Sequence, residues 1–92
     1  MEIIDLYVLD THSLIWHLVA DRRLGNNAKT VLENKGNKFV LPITALAEAF
    51  DIVQKKRTKI PSVEILSQDI SSDARIKIVP LTFEILLESI TL

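Results

Sequence analysis

The stretch Tyr7-Val8-Leu9-Asp10-Thr11-His12-Ser13-Leu14-Ile15-Trp16 decides the fold, because an apolar run ends on an acid and then restarts with helical spacing. Tyr7, Val8 and Leu9 read as a buried strand, while Leu14, Ile15, Leu18 and Val19 return at the i, i+1, i+4, i+5 spacing of one helix face. Asp10 is therefore expected at the carboxyl end of a strand. Thr11 or Ser13 is expected to cap the following helix by accepting a backbone N–H. Ligands of open α/β sheets bind outside the carboxyl ends of strands, so the Asp10 carboxylate faces the region where chemistry is done.

Outward from this stretch, apolar periodicity marks a second helix with Asn26 or Asn27 as cap, Ala28, Val31 and Leu32 as its face and Gly36 as its stop. Asp21-Arg22-Arg23-Leu24-Gly25 connects the two helices. Lys38-Phe39-Val40-Leu41 reads as a strand closed by Pro42, and Thr44 is expected to cap a third helix with Leu46, Ala49, Phe50 and Val53 on one face. A fourth helix fits Ser62 to Ile70, followed by the alternating strand Arg75 to Val79, which Pro80 stops. Thr82 then caps a last helix carrying Phe83, Leu86, Leu87 and Ile90 at i, i+3, i+4, i+7. The order is βααβααβα. Helices between successive strands imply parallel pairing and an α/β layer architecture.

The 92 residues, 48% hydrophobic and 25% charged with a mean hydropathy of +0.24, suit a single domain over residues 1–92. There is no cysteine, which excludes a disulfide framework and a thiolate metal site. The opening Met1-Glu2-Ile3-Ile4-Asp5 carries acids where a signal peptide carries positive charge, and no apolar stretch approaches the ~20 residues of a membrane span. A cytoplasmic protein without a membrane partner is the expectation. A net charge of −1 and a pI near 6.1 argue against binding by general neutralisation of phosphates. Nucleic-acid contact must then be local. With only Gly25 and Gly36 there is no glycine-rich phosphate loop, which argues against nucleoside-triphosphate chemistry.

Glu48 is the second chemically suggestive residue, a lone acid in Ile43-Thr44-Ala45-Leu46-Ala47-Glu48-Ala49-Phe50. It falls about one turn into the third helix, on the same strand-end side of the sheet as Asp10, so the two carboxylates are expected to meet. Close carboxylates stay ionised only with a cation between them, and an oxygen-only donor set suits Mg²⁺ or Mn²⁺. On the residues alone two plainer readings stay open: Asp10 orders a turn, and Glu48 is a solvent-facing acid helped by the helix dipole. Lys55-Lys56-Arg57-Thr58-Lys59 reads as a solvated helix end, His12 and His17 as surface or packing residues, and Trp16 as a core or subunit-contact residue.

Together, Tyr7 to Trp16, Asp21-Arg22-Arg23-Leu24, Ile43-Thr44-Ala45-Leu46-Ala47-Glu48 and Ile78-Val79-Pro80-Leu81-Thr82 resemble the VapC-type PIN domain, in the right order along nearly the whole chain. The resemblance implies a three-layer α/β fold on a short parallel sheet and a Mg²⁺- or Mn²⁺-dependent endoribonuclease, the toxin of a toxin–antitoxin pair. It makes Asp10 the first metal ligand, Glu48 the second acid and Thr11 the hydroxyl beside them, with Ser13 a supporting residue of the same turn. PIN domains carry further aspartates after the segment matched by Pro80-Leu81-Thr82. The sequence stops at Leu92 inside the intervening helix, so a C-terminally incomplete domain without the family's last strands is expected. Two acids leave an ion held mostly by water, so little or no ribonuclease activity is expected of these 92 residues, with RNA as substrate and an antitoxin as partner. Tyr7-Val8-Leu9 is expected at an exposed sheet edge, which favours a homo-oligomer. The alternative is a non-catalytic module that pairs with an antitoxin or another PIN subunit.

Overall fold

The computed structural model describes residues 6–80. Seven elements follow one another: β1 (Leu6–Val8), α1 (Thr11–Leu18), α2 (Asn26–Glu33), β2 (Lys38–Pro42), α3 (Ile43–Gln54), α4 (Val63–Ser71) and β3 (Ile76–Val79). The strands form a parallel sheet in the order β1-β2-β3, the α/β arrangement that strands separated by helix pairs require. Both crossovers step the same way across the sheet, so right-handed connections lay both helix pairs over one face. The packing of α1 on α3 agrees. The last helix read from the sequence, from Thr82 to Ile90, lies outside the described residues.

Register explains which strand residues are buried. Tyr7 pairs with Phe39 and Phe39 with Ile76, so these three side chains share a face, and the Tyr7 and Phe39 ring centroids lie 5.9 Å apart. Phe39 and Leu41 are buried on that face and meet Leu14, Leu46, Ala49, Val53 and Leu66 from the helices in one core. β1 is the outer strand of the described sheet. The exposed edge expected at Tyr7-Val8-Leu9 is not found there: Tyr7 is half-buried and Val8 and Leu9 are 7% and 1% exposed, because they pack against the core, and only Leu6, at 62%, is open.

The helix starts differ from the sequence reading in instructive ways. Asp10 itself, not Thr11 or Ser13, caps α1, its Oδ1 accepting the Ser13 N–H at 2.7 Å. The acid has the shortest reach to the third residue of the helix and matches its positive end. Gly25 precedes α2, where neither Asn26 nor Asn27 caps, and the helix ends at Glu33, before Gly36. Pro42 precedes α3, so Thr44 lies inside the helix; a strand that runs straight into a helix leaves no room for a capping residue between them. Ser62 does cap α4, accepting the Ile65 N–H at 3.2 Å.

Arg75, just before β3, closes the end opposite the helix starts. Its Nη1 donates to Leu32 O at 2.8 Å and Asn34 O at 3.0 Å, satisfying carbonyls left open at the end of α2. Its guanidinium lies 5.2 Å from the Phe39 ring centroid and pairs with Asp73 at 2.9 Å. Arg75 holds the Asp73 carboxyl below its ordinary range, chiefly by side-chain hydrogen bonding. His17, half-buried in the last turn of α1, is held below its ordinary 6.5, first by burial and then by the Arg75 charge, against opposing pulls from Asp73 and Glu33. A depressed histidine favours the folded state fully above its unfolded value and loses that contribution as pH falls through the folded one. The melting temperature should therefore fall as pH is lowered from 7.5 towards 5, and His17→Gln should flatten that dependence in a thermal-unfolding series.

Candidate active site at the strand ends

Asp10 follows β1 and Glu48 lies in α3 directly after β2, so both occupy the carboxyl edge of two neighbouring strands. The contact between them runs through Thr11. Its Oγ1 lies 3.0 Å from Glu48 Oε2 and 3.1 Å from Ala45 O, joining the first residue of α1 to the second turn of α3. Thr11 is 4% exposed, and a buried hydroxyl needs such a partner. The Glu48 carboxylate is thereby held against the residue next to Asp10.

Each acid keeps an oxygen in reserve. Asp10 Oδ1 is committed to the helix cap and Glu48 Oε2 to Thr11, while Asp10 Oδ2 and Glu48 Oε1 take no hydrogen bond among the described residues. Ser13 takes part through its backbone N–H; its side chain is buried. Among the described residues no group of three or more His, Cys, Asp or Glu converges to hold a metal ion. Asp69 and Asp73 lie with α4 and the start of β3, at the far end of the strands from Asp10.

A groove of about 700 Å³ opens beside Glu48, between α1 and α3. Ile15, Trp16 and Val19 form one apolar wall and Ile52 faces them. At its far end lie Arg23 from the loop after α1 and Lys56, Arg57 and Lys59 from the loop after α3. These loops come together through the α1–α3 contact, and both helices end alike. Ala20 (φ 54°) and Lys56 (φ 56°) are left-handed; Ala20 N donates to His17 O and Asp21 N to Trp16 O, as Lys56 N does to Val53 O and Arg57 N to Ile52 O. Glycine is the usual residue there, and a side chain at that position costs about 1–2 kcal/mol.

The sequence reading is divided by this groove. Lys55 does what a solvated helix end does, pairing with Asp51 four residues back at 3.0 Å. Lys56, Arg57 and Lys59 instead share a cleft with Glu48, which no spacing in the chain announces because residues 21–23 and 56–59 meet only through the α1–α3 contact. Trp16 packs against the core, as expected, and also borders the groove. Arg23 lies 5.3 Å from its ring centroid and His12 5.6 Å. The paired Arg23 holds the Asp21 carboxyl down to about 2, chiefly by hydrogen bonding, with Lys59 contributing charge.

The family model of the PIN domain matches residues 7–92. The chain belongs to this family. No curated protein and no solved structure matches it. Membership points to nuclease-type function in general and to contact with RNA, since PIN domains are generally metal-dependent nucleases. No helix among the described residues is long and apolar enough to cross a membrane.

The double duty of Asp10 can be separated by substitution. Asp10→Ala should cost ~0.5–2 kcal/mol through the lost cap, whereas Asp10→Asn, itself a good cap, should leave stability close to that of the parent. Denaturant unfolding of the two variants checks this, and makes Asp10→Asn the variant for assays of chemistry.

Proposed function

We propose that Asp10 and Glu48 belong to the site of a metal-dependent endoribonuclease, in a single PIN-like domain over residues 1–92. The observation that carries this reading is the Thr11 bridge, which spans 37 positions of sequence to hold the Glu48 carboxylate against the residue next to Asp10. PIN membership supports the reaction class. The resemblance of Tyr7 to Trp16 to the VapC opening supports the finer assignment: a cytoplasmic toxin, restrained by an antitoxin and associating with a second PIN subunit.

The donor chemistry fits the ion that such enzymes use. Asp10 Oδ2 and Glu48 Oε1 are hard carboxylate oxygens, suited to Mg²⁺ or Mn²⁺, and would hold it. When bound, the ion supplies a water of lowered pKa and neutralises charge on the reacting phosphate. The residues of the chain do the positioning. Thr11 fixes the Glu48 carboxylate, and the Ser13 N–H fixes that of Asp10, so neither must reorganise when a substrate arrives. Two carboxylates alone repel a phosphate, so cleavage depends on the metal.

A 5′-labelled single-stranded RNA incubated with the chain should be cleaved slowly, only with Mg²⁺ or Mn²⁺ in the millimolar range, as expected for an ion that keeps most of its waters. Asp10→Asn or Glu48→Gln should abolish cleavage. Absence of cleavage at every metal concentration would favour the second reading, a non-catalytic module that pairs with an antitoxin or another PIN subunit, for which the lack of a third converging ligand among the described residues speaks.

A further inference from the structure

We infer that the groove between α1 and α3 is a binding subsite for single-stranded RNA, in which a base joins the Trp16–Arg23 stack and phosphates meet Lys56, Arg57 and Lys59. The inference rests on the nuclease reading for the identity of the nucleic acid, and on the groove itself for the subsite.

Charge is the first argument. The acids at this end of the groove are already matched, Asp21 by Arg23 at 2.8 Å and Asp51 by Lys55 at 3.0 Å. Among the described residues Lys56, Arg57 and Lys59 take part in no ion pair, and all three are exposed. A chain with a net charge of −1 thus gathers in one cleft three cations that no ion pair among the described residues engages. Local phosphate contact is what such a distribution can supply.

Distance is the second. Glu48 and Lys56 are separated by two helical turns and a cap, roughly 12 Å at 1.5 Å per residue. A strand whose scissile phosphate lies at the acids therefore reaches the cations with a neighbouring nucleotide, and the subsite positions RNA without touching the reacting atoms. The stack is the third argument. The Arg23 guanidinium already lies over Trp16, 5.3 Å from the ring centroid, and 70% of its side chain is exposed. Unpaired bases stack on aromatic rings and on guanidinium planes, whereas the bases of a duplex are already stacked on one another and offer no free face to Trp16. Lys56, like Ala20, stands in a left-handed position that glycine would occupy without strain.

Trp16 is the sole tryptophan, so its fluorescence reports on the groove. Titration of a 12-mer single-stranded RNA of mixed sequence into the full chain in EDTA, where no cleavage occurs, should change that fluorescence saturably, and an RNA duplex should not. Lys56→Ala/Arg57→Ala/Lys59→Ala should weaken binding and flatten the salt dependence by about two in log–log slope, at about 0.7 per lost phosphate contact. Trp16→Leu, followed by anisotropy of a labelled RNA, should weaken binding on the order of tenfold. Lys56→Gly should weaken RNA binding while raising the melting temperature, an opposed pair that a merely structural lysine would not give; its higher stability also removes misfolding as an explanation. RNA binding that leaves Trp16 fluorescence and the salt slope of the triple variant unchanged, or no RNA binding at all, would overturn the subsite. Binding with the predicted changes but no cleavage on adding Mg²⁺ or Mn²⁺ would uphold the subsite and reject the nuclease reading. Cleavage by a triple variant whose RNA affinity matches the parent would do the reverse.

Discussion

The buried hydroxyl of Thr11 is the constraint around which the site is arranged. A hydroxyl that is 4% exposed cannot rely on water, and both acceptors within its reach, Ala45 O and Glu48 Oε2, belong to α3. Satisfying it therefore fixes α1 against α3 and chooses which turn of α3 faces the end of β1. The Glu48 carboxylate, the direction of the groove and the meeting of the two helix-end loops all follow from that choice. Net hydrogen-bond energies are only ~0.5–1.5 kcal/mol, but an orphaned buried group costs more, so the bond acts mainly by excluding other arrangements.

A second constraint acts at the other end of the same helices. α1 and α3 both close through a left-handed residue that is not glycine, Ala20 in one and Lys56 in the other. The strain is modest against a domain stability of about 5–15 kcal/mol, and in each case it turns the chain sharply back over the groove. Along the groove and the strand ends, the acids outside ion pairs and the cations outside ion pairs are set apart among the described residues: Asp10 and Glu48 at the strand ends, Lys56, Arg57 and Lys59 at the helix ends, where Asp21 and Asp51 are matched by Arg23 and Lys55. An almost neutral chain can thus present a strongly polarised surface along one cleft.

Much of this was legible before the structure. The order of elements, the parallel sheet and the strand-end position of Asp10 follow from apolar periodicity and from Pro42 and Pro80 as stops, because periods of two and 3.6 are properties of the local chain. Glu48 was conspicuous as a lone acid in an apolar helix. The caps were less legible. Asp10, Ser13 and Thr11 are all competent at a helix start, and which one caps depends on how the chain leaves β1, which neighbouring β2 sets through the Leu9 N–H bond to Val40 O. Arg75 reads as one charge of an alternating strand; its role depends on Leu32 and Asn34, more than 40 positions away.

By itself, the sequence determined the α/β class, the strand-end acid and the family, since these rest on local spacing and short motifs carried in order. Only the tertiary structure decided that Thr11 bridges to Glu48, that Lys55 is a solvated helix end while Lys56, Arg57 and Lys59 line a groove, and that Trp16 borders both core and cleft. The physical reason is that each of these depends on the approach of α1 to α3, a contact between segments some 35 residues apart, set by burying a shared apolar face and one hydroxyl together, and no periodicity within either segment encodes the distance between them.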